Sequence, residues 1–379
     1  MTIVFISNFI NHYMAPLIEE LNKINGCRAF FVETVQLPDS LRKGGFRVFQ
    51  EEPYLIKAWQ NESSRQKMEE LAHEADVLIL GSGFKMLELK RLRQGKLTFE
   101  MSERPLKRGL INLFSPRIFL TQLFYHLFFY NKPLYMLCFS AFTAVDEYKL
   151  HAFKDKCYKF GYFPRIPECD IEKVLSSKPN GKIRIIWCAR FIKWKHPELA
   201  IRLAERLVKD GYDFEINMIG SGILYDKINN MIREKGLSDY VHLLGNYPND
   251  DVLKMMSRHH VFLFTSDKNE GWGVVLNEAM GQGCCPIAAD EIGAVPFLLK
   301  DNYNGKVFKS NSLDALYVCT KELLDNPCQI MDYARNAYNT VKNVWNPVIA
   351  AQRLYGLSDV LLNNKLSNIL DGPCSSAKS

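Results

Sequence analysis

Glu270-Gly271-Trp272-Gly273-Val274-Val275-Leu276-Asn277-Glu278 lies between the apolar run Val261-Phe262-Leu263-Phe264 and the pair Ala279-Met280. A strand-like segment thus leads through a glycine-flanked turn into the first turns of a helix. Two carboxylates with seven residues between them bracket that turn. They supply hydroxyl acceptors at two distances, beside backbone N–H groups at a helix N-terminus suited to an anion. A nucleotide sugar carries hydroxyls at both ends and a diphosphate between them, so it fits this combination. A solvated helix end with incidental acids would show the same two residues, and the surrounding sequence has to decide.

Short apolar runs alternate with helical patterns on both sides of this block. Ile3–Ile6, Arg28–Val32 and Asp76–Leu80 read as strands, and Met14–Ile24 has apolar residues at helical spacing. A second series begins at Lys182–Trp187 and continues through Phe214–Ile219, Val241–Leu244, Val261–Phe264 and Cys285–Ala288. Such alternation predicts parallel sheets with helices on both faces, and ligands at the carboxyl ends of the strands. Between the series, Phe160–Gly181 holds Pro164, Pro167 and Pro179 and reads as a linker. Trp345-Asn346-Pro347 opens a closing helix, and the polar stretch Asp371–Ser379 is expected to be disordered.

With Met280-Gly281-Gln282-Gly283 after it, the Glu-x7-Glu block resembles the donor site of retaining glycosyltransferase family 4. The resemblance covers nearly the whole chain and is strongest over 182–308. It implies an α/β GT-B architecture: two Rossmann-like domains with a cleft between them and a C-terminal helix crossing back to the first. The expected division is an acceptor-binding domain over 1–165 with the helix at about 346–365, a donor-binding domain over 166–345, and a disordered tail over 366–379.

The resemblance also implies roles. Glu270 would contact the transferred sugar and Glu278 the nucleotide ribose. Arg190 and Lys195, in the stretch Arg-Phe-Ile-Lys-Trp-Lys-His-Pro, would bind the donor diphosphate. Fixed cations there stabilise the charge that grows on the leaving group. Gly271, Trp272, Gly273 and Val274 would bring backbone N–H groups to sugar or phosphate. Gly220 and Gly222 stand where the family has a Gly-x-Gly, and Asn246 follows a strand end near the expected base. Gly293-Ala294 and Phe297 depart from the family pattern.

In the first half, His12 would face the cleft; it either hydrogen-bonds a sugar or phosphate or is satisfied at the start of the Met14 helix. Asn11, Glu103 and Arg104 are candidate acceptor contacts, in stretches similar to bacterial capsular and exopolysaccharide transferases. Glu103 and Arg104 could equally form an internal ion pair. From Arg104 to Lys132 there are five Lys and Arg residues, no Asp or Glu, and many aromatics. That segment is either an interfacial helix on anionic lipid or a buried helix pair. Arg117, Gln122, His126 and Asn131-Lys132-Pro133 interrupt it too often for a membrane span.

Composition agrees with an enzyme of this kind. At 379 residues two domains are expected, and 47% hydrophobic with 24% charged residues is ordinary for a globular protein. A net charge of +6 without dense basic clusters argues against a nucleic-acid binder. The ten cysteines show no Cys-x-x-Cys spacing and read as reduced thiols of a cytosolic protein. Ile3–Ser7 reads as a strand with no basic leader before it, so a secretory signal is not expected. The eight histidines lack ligand spacing and no Asp-x-Asp occurs, so no metal or other cofactor is expected. The expected reaction is retaining, metal-independent transfer of a hexosyl unit from a nucleotide diphosphate sugar, with UDP the expected nucleotide. The acceptor would be a saccharide or lipid-linked saccharide of cell-surface polysaccharide synthesis, at the cytoplasmic membrane face. A sugar-nucleotide epimerase on the same scaffold and a non-catalytic partner subunit are the alternatives.

Overall fold

The computed structural model describes residues 1–38, 48–50, 52–81, 83–107 and 109–377. The chain divides into two units, Met1–Arg165 with Val344–Ser379, and Ile166–Asn343. The first is built on β1 (Thr2–Ser7), β2 (Arg28–Glu33), β3 (Leu55–Lys57), β4 (Val77–Leu80), β5 (Thr98–Ser102), β6 (Leu134–Cys138) and β7 (Cys157–Lys159). Their order is β3-β2-β1-β4-β5-β6-β7, with parallel pairing throughout. The second unit holds β8 (Ile183–Cys188), β9 (Phe214–Ile219), β10 (Val241–Gly245), β11 (Val261–Phe264), β12 (Cys285–Ala289) and β13 (Lys306–Phe308). Its order is β10-β9-β8-β11-β12-β13, again parallel.

Each sheet grows outward from its first strand and then resumes on that strand's other side, at β1/β4 and at β8/β11. This doubly wound order leaves a crevice beyond the carboxyl ends of the two strands that diverge. Every residue of β4, β11 and β12 is buried. Strands covered on both faces need unbroken apolar runs, and these three have them.

The helices that matter below are α1 (Ala15–Asn22), α2 (Pro116–Phe124), α3 (Pro197–Lys209), α4 (Val275–Gly281) and α5 (Pro347–Leu362). Helix α3 starts on Pro197 and buries Leu199, Ala200, Leu203, Ala204 and Leu207, with Glu198 in its first turn and Arg206 and Lys209 in its last. That charge placement suits the helix dipole. Helix α5 starts at Asn346, whose Oδ1 accepts the Ile349 N–H at 2.9 Å, and it packs on α1. Trp345 stacks on Phe163 with ring centroids 6.3 Å apart.

Three expectations change. Strands β3, β5, β6, β7 and β13 were not anticipated, and the linker stretch contains a short helix, Ile171–Ser176. The C-terminal stretch is not a disordered tail over its described part: Gly372–Ser375 are buried. Cys374 N–H donates to Lys159 O at 2.7 Å, Lys159 N–H to Ser375 O at 2.8 Å, and Ala377 N–H to Cys157 O at 2.9 Å. An antiparallel bridge between Tyr158 and Ser376 completes this cover on the edge of β7. The buried Cys374 side chain and these backbone bonds explain the order. The segment 104–132 is partly core and partly surface. Tyr125 and Phe129 are core residues, whereas Ile111, Phe114, Phe119, Leu120, Leu127 and Phe128 are exposed. Arg108 and the side chain of Arg117 lie outside the described residues.

Truncation after Leu370 should uncover the β7 edge and lower the melting temperature of the first unit by about 5 °C or more. Scanning calorimetry checks this; an unchanged transition would show that the tail contributes nothing to stability.

Candidate functional site

Beyond β8 the chain forms a loop, Ala189–His196, that is clamped to the loop after β9. Ala189 N–H donates to Ile219 O at 3.1 Å, and Phe191 N–H to Ser221 O at 2.8 Å. So close an approach leaves no space for side chains. A Cβ on Gly220, at φ +132°, would stand 2.0 Å from Ala189 O, and one on Gly222 2.5 Å from Phe191 O. These glycines build the loop. Asn246 Nδ2 donates to Ser221 Oγ at 2.8 Å, which places Asn246 beside them.

Lys195 ends a tight turn, Lys193–Lys195, and is buried. Its Nζ donates to Glu270 Oε2, the carboxylate brought by the loop after β11. Ser266 Oγ donates to the same oxygen at 3.1 Å. The ammonium lies 4.3 Å from the Trp194 ring centroid and 5.8 Å from that of Phe264. Thr265 Oγ1 donates to Lys195 O at 2.7 Å and accepts from Trp187 Nε1 at 2.9 Å. Arg190 is exposed, with its guanidinium 5.9 Å from the same Trp194 ring.

His196 had no assigned role in the sequence reading, yet it holds this turn. Its φ of +48° is a left-handed conformation that is costly for a residue with a side chain. The ring compensates by bridging Glu198 at 2.9 Å and Asp267 at 3.1 Å. Those contacts, Glu198 foremost, raise its pKa. Ser266, Thr265 and Trp194 were likewise unforeseen. No spacing rule marks them, because they act across loops distant in sequence.

Within the Glu270–Glu278 block, Glu270 N–H donates to Asp267 O at 2.9 Å. Gly293 N–H donates to Glu270 O at 3.2 Å and Ala294 N–H to Trp272 O at 3.1 Å, so the departure at Gly293-Ala294 still braces the turn. Trp272 is buried, its Nε1 donating to Asn277 Oδ1 at 2.9 Å. Gly271 is buried beside it. At Gly273, φ +88°, a Cβ would lie 2.5 Å from the Phe264 ring and 3.1 Å from Glu270 Cγ. Val274 is the cap residue of α4. Glu278, on α4, keeps part of its side chain exposed; desolvation pushes its carboxyl up to about 7, opposed by a hydrogen bond from Asn249. Cys188, at the end of β8, feels both Glu278 and Lys195, although burial is the main cause of its raised pKa.

The second unit therefore joins Lys195 directly to Glu270 and places Arg190 and Lys195 on one tryptophan, while Glu278 and Lys195 both act on the Cys188 thiol. Lys195, Glu270 and Arg190 belong to the loops after β8 and β11, where that sheet's order reverses. Among the described residues, no three His, Cys, Asp or Glu side chains are grouped so as to hold a metal ion.

The first-unit candidates lie at the corresponding edge of its own sheet. Asn11 Oδ1 accepts N–H bonds from Tyr13 and Met14 at 3.1 and 3.0 Å, so it starts α1. His12 packs edge-on against Tyr13, centroids 3.9 Å apart. Glu103 and Arg104 do not pair with each other. Glu103 binds Lys107 at 2.6 Å, and Arg104 reaches both oxygens of buried Asp146 at 3.2 Å. Asn11, Glu103 and Arg104 all border a cavity of about 930 Å³.

Residues 170–340 match the family described as "Glycosyl transferases group 1", so this stretch is a group 1 glycosyltransferase domain. Over 177 residues the chain is 27% identical to the amylovoran biosynthesis glycosyltransferase AmsK of Erwinia amylovora, covering 45% of this chain and 43% of that one. Over 131 residues it is 33% identical to an uncharacterized glycosyltransferase of Methanocaldococcus jannaschii, covering 34% and 36%. The matched segments thus span well under two thirds of these relatives. Among solved structures, Anabaena HepE in complex with UDP superposes with a TM-score of 0.68 at 15% identity, over 94% of this chain and 99% of that one. The lipopolysaccharide outer core galactosyltransferase WaaB, in its apo form, gives 0.68 at 14% identity over 97% and 100%. The fold is that of GT-B glycosyltransferases.

Replacing Glu270 with Ala should leave Lys195 buried without its counter-charge and cost about 3 kcal/mol of stability. The double change Lys195→Met with Glu270→Leu should recover much of that loss. A double-mutant cycle by urea denaturation reads the coupling; additive costs would mean that the pair is not energetically linked.

Proposed function

We propose that the protein transfers a hexosyl unit from a nucleotide diphosphate sugar, with UDP as nucleotide, to a saccharide acceptor in cell-surface polysaccharide synthesis. The observation that carries this reading is the buried Lys195–Glu270 pair at the reversal of the second sheet, inside the group 1 domain. Lys195 and Arg190 neutralise the diphosphate as the glycosidic bond breaks, without a metal. Glu270 accepts hydroxyls of the transferred sugar, and the ionised Glu278 carboxylate accepts those of the ribose. The anomeric configuration is retained, the acceptor entering on the face that the leaving group vacates. Gly220 and Gly222 let the Arg190–Lys195 loop lie close to the donor.

UDP and UDP-sugars should raise the melting temperature by mass action. Glu270→Gln should abolish transfer and largely spare UDP binding, and Lys195→Ala should lower turnover about 10²–10³-fold. Because the Glu278 carboxyl titrates near 7 and binds ribose ionised, UDP affinity should weaken as pH falls below that value. Glu278→Gln should flatten the profile. Calorimetry across pH 5.5–8.5 measures it; a pH-independent wild type contradicts the ribose role. An isomerised nucleotide sugar formed without acceptor would indicate an epimerase instead.

The proposal includes a place of work at the inner face of the membrane. No described helix is long and apolar enough to cross a membrane. The exposed Phe114, Phe119, Leu127 and Phe128 instead share the segment 104–132 with Lys107 and Lys132, and that segment has no acid. Aromatic and basic groups together suit the interface of an anionic bilayer. The protein should float with vesicles of phosphatidylglycerol and phosphatidylcholine, less so in high salt. Phe114→Ser with Phe119→Ser and Leu127→Ser should abolish flotation; equal flotation of this variant would refute the contact.

A further inference from the structure

His196 follows Lys195 directly, at a left-handed backbone position that Gly or Asn takes up at little cost. The ring that stands there instead reaches two carboxylates at once. Its Nδ1 lies 2.9 Å from Glu198 Oε1 and its Nε2 3.1 Å from Asp267 Oδ2. Ionised carboxylates only accept hydrogen bonds, whereas neutral imidazole has one donor nitrogen and one acceptor. Both contacts can be hydrogen bonds together only when the ring carries two protons. The geometry is that of an imidazolium between two anions.

The two carboxylates come from different loops. Glu198 lies in the first turn of α3, on the His196 side, and Asp267 in the loop after β11 that also carries Glu270. Asp267 is firmly held in turn. Its N–H donates to Trp194 O at 3.0 Å, and its Oδ1 accepts from Asn269 N–H and Nδ2 at 2.9 and 2.8 Å. Because Glu270 N–H donates to Asp267 O, any shift of Asp267 is passed on to Glu270. The His196–Asp267 contact is therefore a second tie between the two loops that the Lys195–Glu270 pair joins. The side chains of His196 and Asp267 are each 16% exposed, sheltered enough to limit screening by salt and open enough to exchange a proton with water.

We propose that His196 is a proton-operated latch on the donor site: charged, it ties the loop after β8 to the loop after β11 and holds Lys195 and Glu270 in place; neutral, it lets one of its two carboxylates go. The consequence for donor binding rests on the transferase reading, whereas the latch itself does not. In that reading the ring contacts neither donor nor acceptor, so it is a positioning residue. The charged groups acting on it are Glu198 of α3 and Asp267 of the loop after β11, while Lys227, on the helix Tyr225–Glu234, acts on Glu198. The hydrogen bond to Glu198 raises the pKa of the ring against the opposing effect of burial, and Asp267 adds to the rise. Burial raises the Glu198 carboxyl, but the bond to His196 and the charges around it bring it below its ordinary value.

These directions fix the sign of the pH dependence. A raised histidine gives its full stabilisation below its unfolded-state pKa and loses it as pH rises through the folded-state value. A lowered glutamate keeps its contribution above its unfolded-state pKa and loses it as pH falls through the folded-state value. The latch is closed between the two and opens on the alkaline side. Glu278 governs the other limb, where acid weakens UDP binding.

Two measurements on the full chain test this. Heteronuclear NMR with isotope-labelled histidine reads the ring directly, the His196 signal being the one missing from His196→Asn. It should titrate above the ordinary histidine value of about 6.5, and Asp267→Asn should lower its midpoint by removing one anion. Calorimetry with UDP across pH 6.5–9 reads the consequence. Wild-type affinity should fall about fivefold to tenfold as the ring loses its proton. His196→Asn and His196→Gly both tolerate the left-handed backbone, so the fold is kept. Each should bind UDP at the wild type's weaker alkaline level throughout, with no alkaline limb. A ring that titrates at or below the ordinary value, a midpoint unmoved by Asp267→Asn, an alkaline limb that persists in both variants, or variant affinity equal to that of the wild type at pH 6.5 would overturn the latch. If the wild type binds no UDP at any pH, the donor reading falls, and the ring titration with its Asp267→Asn comparison decides the latch by itself.

Discussion

A buried lysine ammonium packed against aromatic rings must be given a counter-charge, and much of the second unit's loop structure meets that requirement. Lys195 belongs to the loop after β8 and Glu270 to the loop after β11, so their bond ties together the two strand ends that diverge. Each partner is then held from behind. Thr265 fixes the Lys195 carbonyl, Ser266 fixes the Glu270 carboxylate, and His196 secures the turn in a backbone conformation it would otherwise avoid. A site built this way is rigid before any ligand arrives, which is what electrostatic stabilisation of a leaving group requires.

The second unit was the more legible half, for physical reasons. Strands β11 and β12 are buried along their whole length and the middle of β8 is buried too, so they appear as continuous apolar runs, and Phe262-Leu263-Phe264 or Ile185-Ile186-Trp187 could hardly be anything else. Its candidate site residues follow those strands closely in the chain, so the loops that carry them could be placed from the sequence. What escaped was the support: His196, Ser266 and Thr265 are short polar residues whose value lies entirely in partners brought near by folding.

The first unit was harder to read. Thr98-Phe99-Glu100-Met101-Ser102 alternates polar and apolar residues and carries a Glu, so it did not look like an interior strand. It is one, and Glu100 points to the reason: the carboxyl end of β5 opens into a cavity. Glu88 offers the clearest case of a misleading appearance. In Lys85-Met86-Leu87-Glu88-Leu89-Lys90 it resembles a solvent-facing helix residue, yet it is almost entirely enclosed. The polar C-terminal stretch deceived in the opposite direction. Its composition suggested disorder, but Cys374 and the backbone beside it cover a sheet edge that would otherwise be open.

The division of the chain has a bearing on biogenesis. Ile166–Asn343 is continuous, whereas the other unit needs Val344–Ser379 to cover α1 and the edge of β7. On the ribosome, the middle of the polypeptide has all its parts while the flanking unit still lacks its last helix and its last edge. The flanking unit is therefore completed only after the middle one. Until then, the nascent chain exposes the apolar surface that α5 will cover, a window in which chaperones would find a hold.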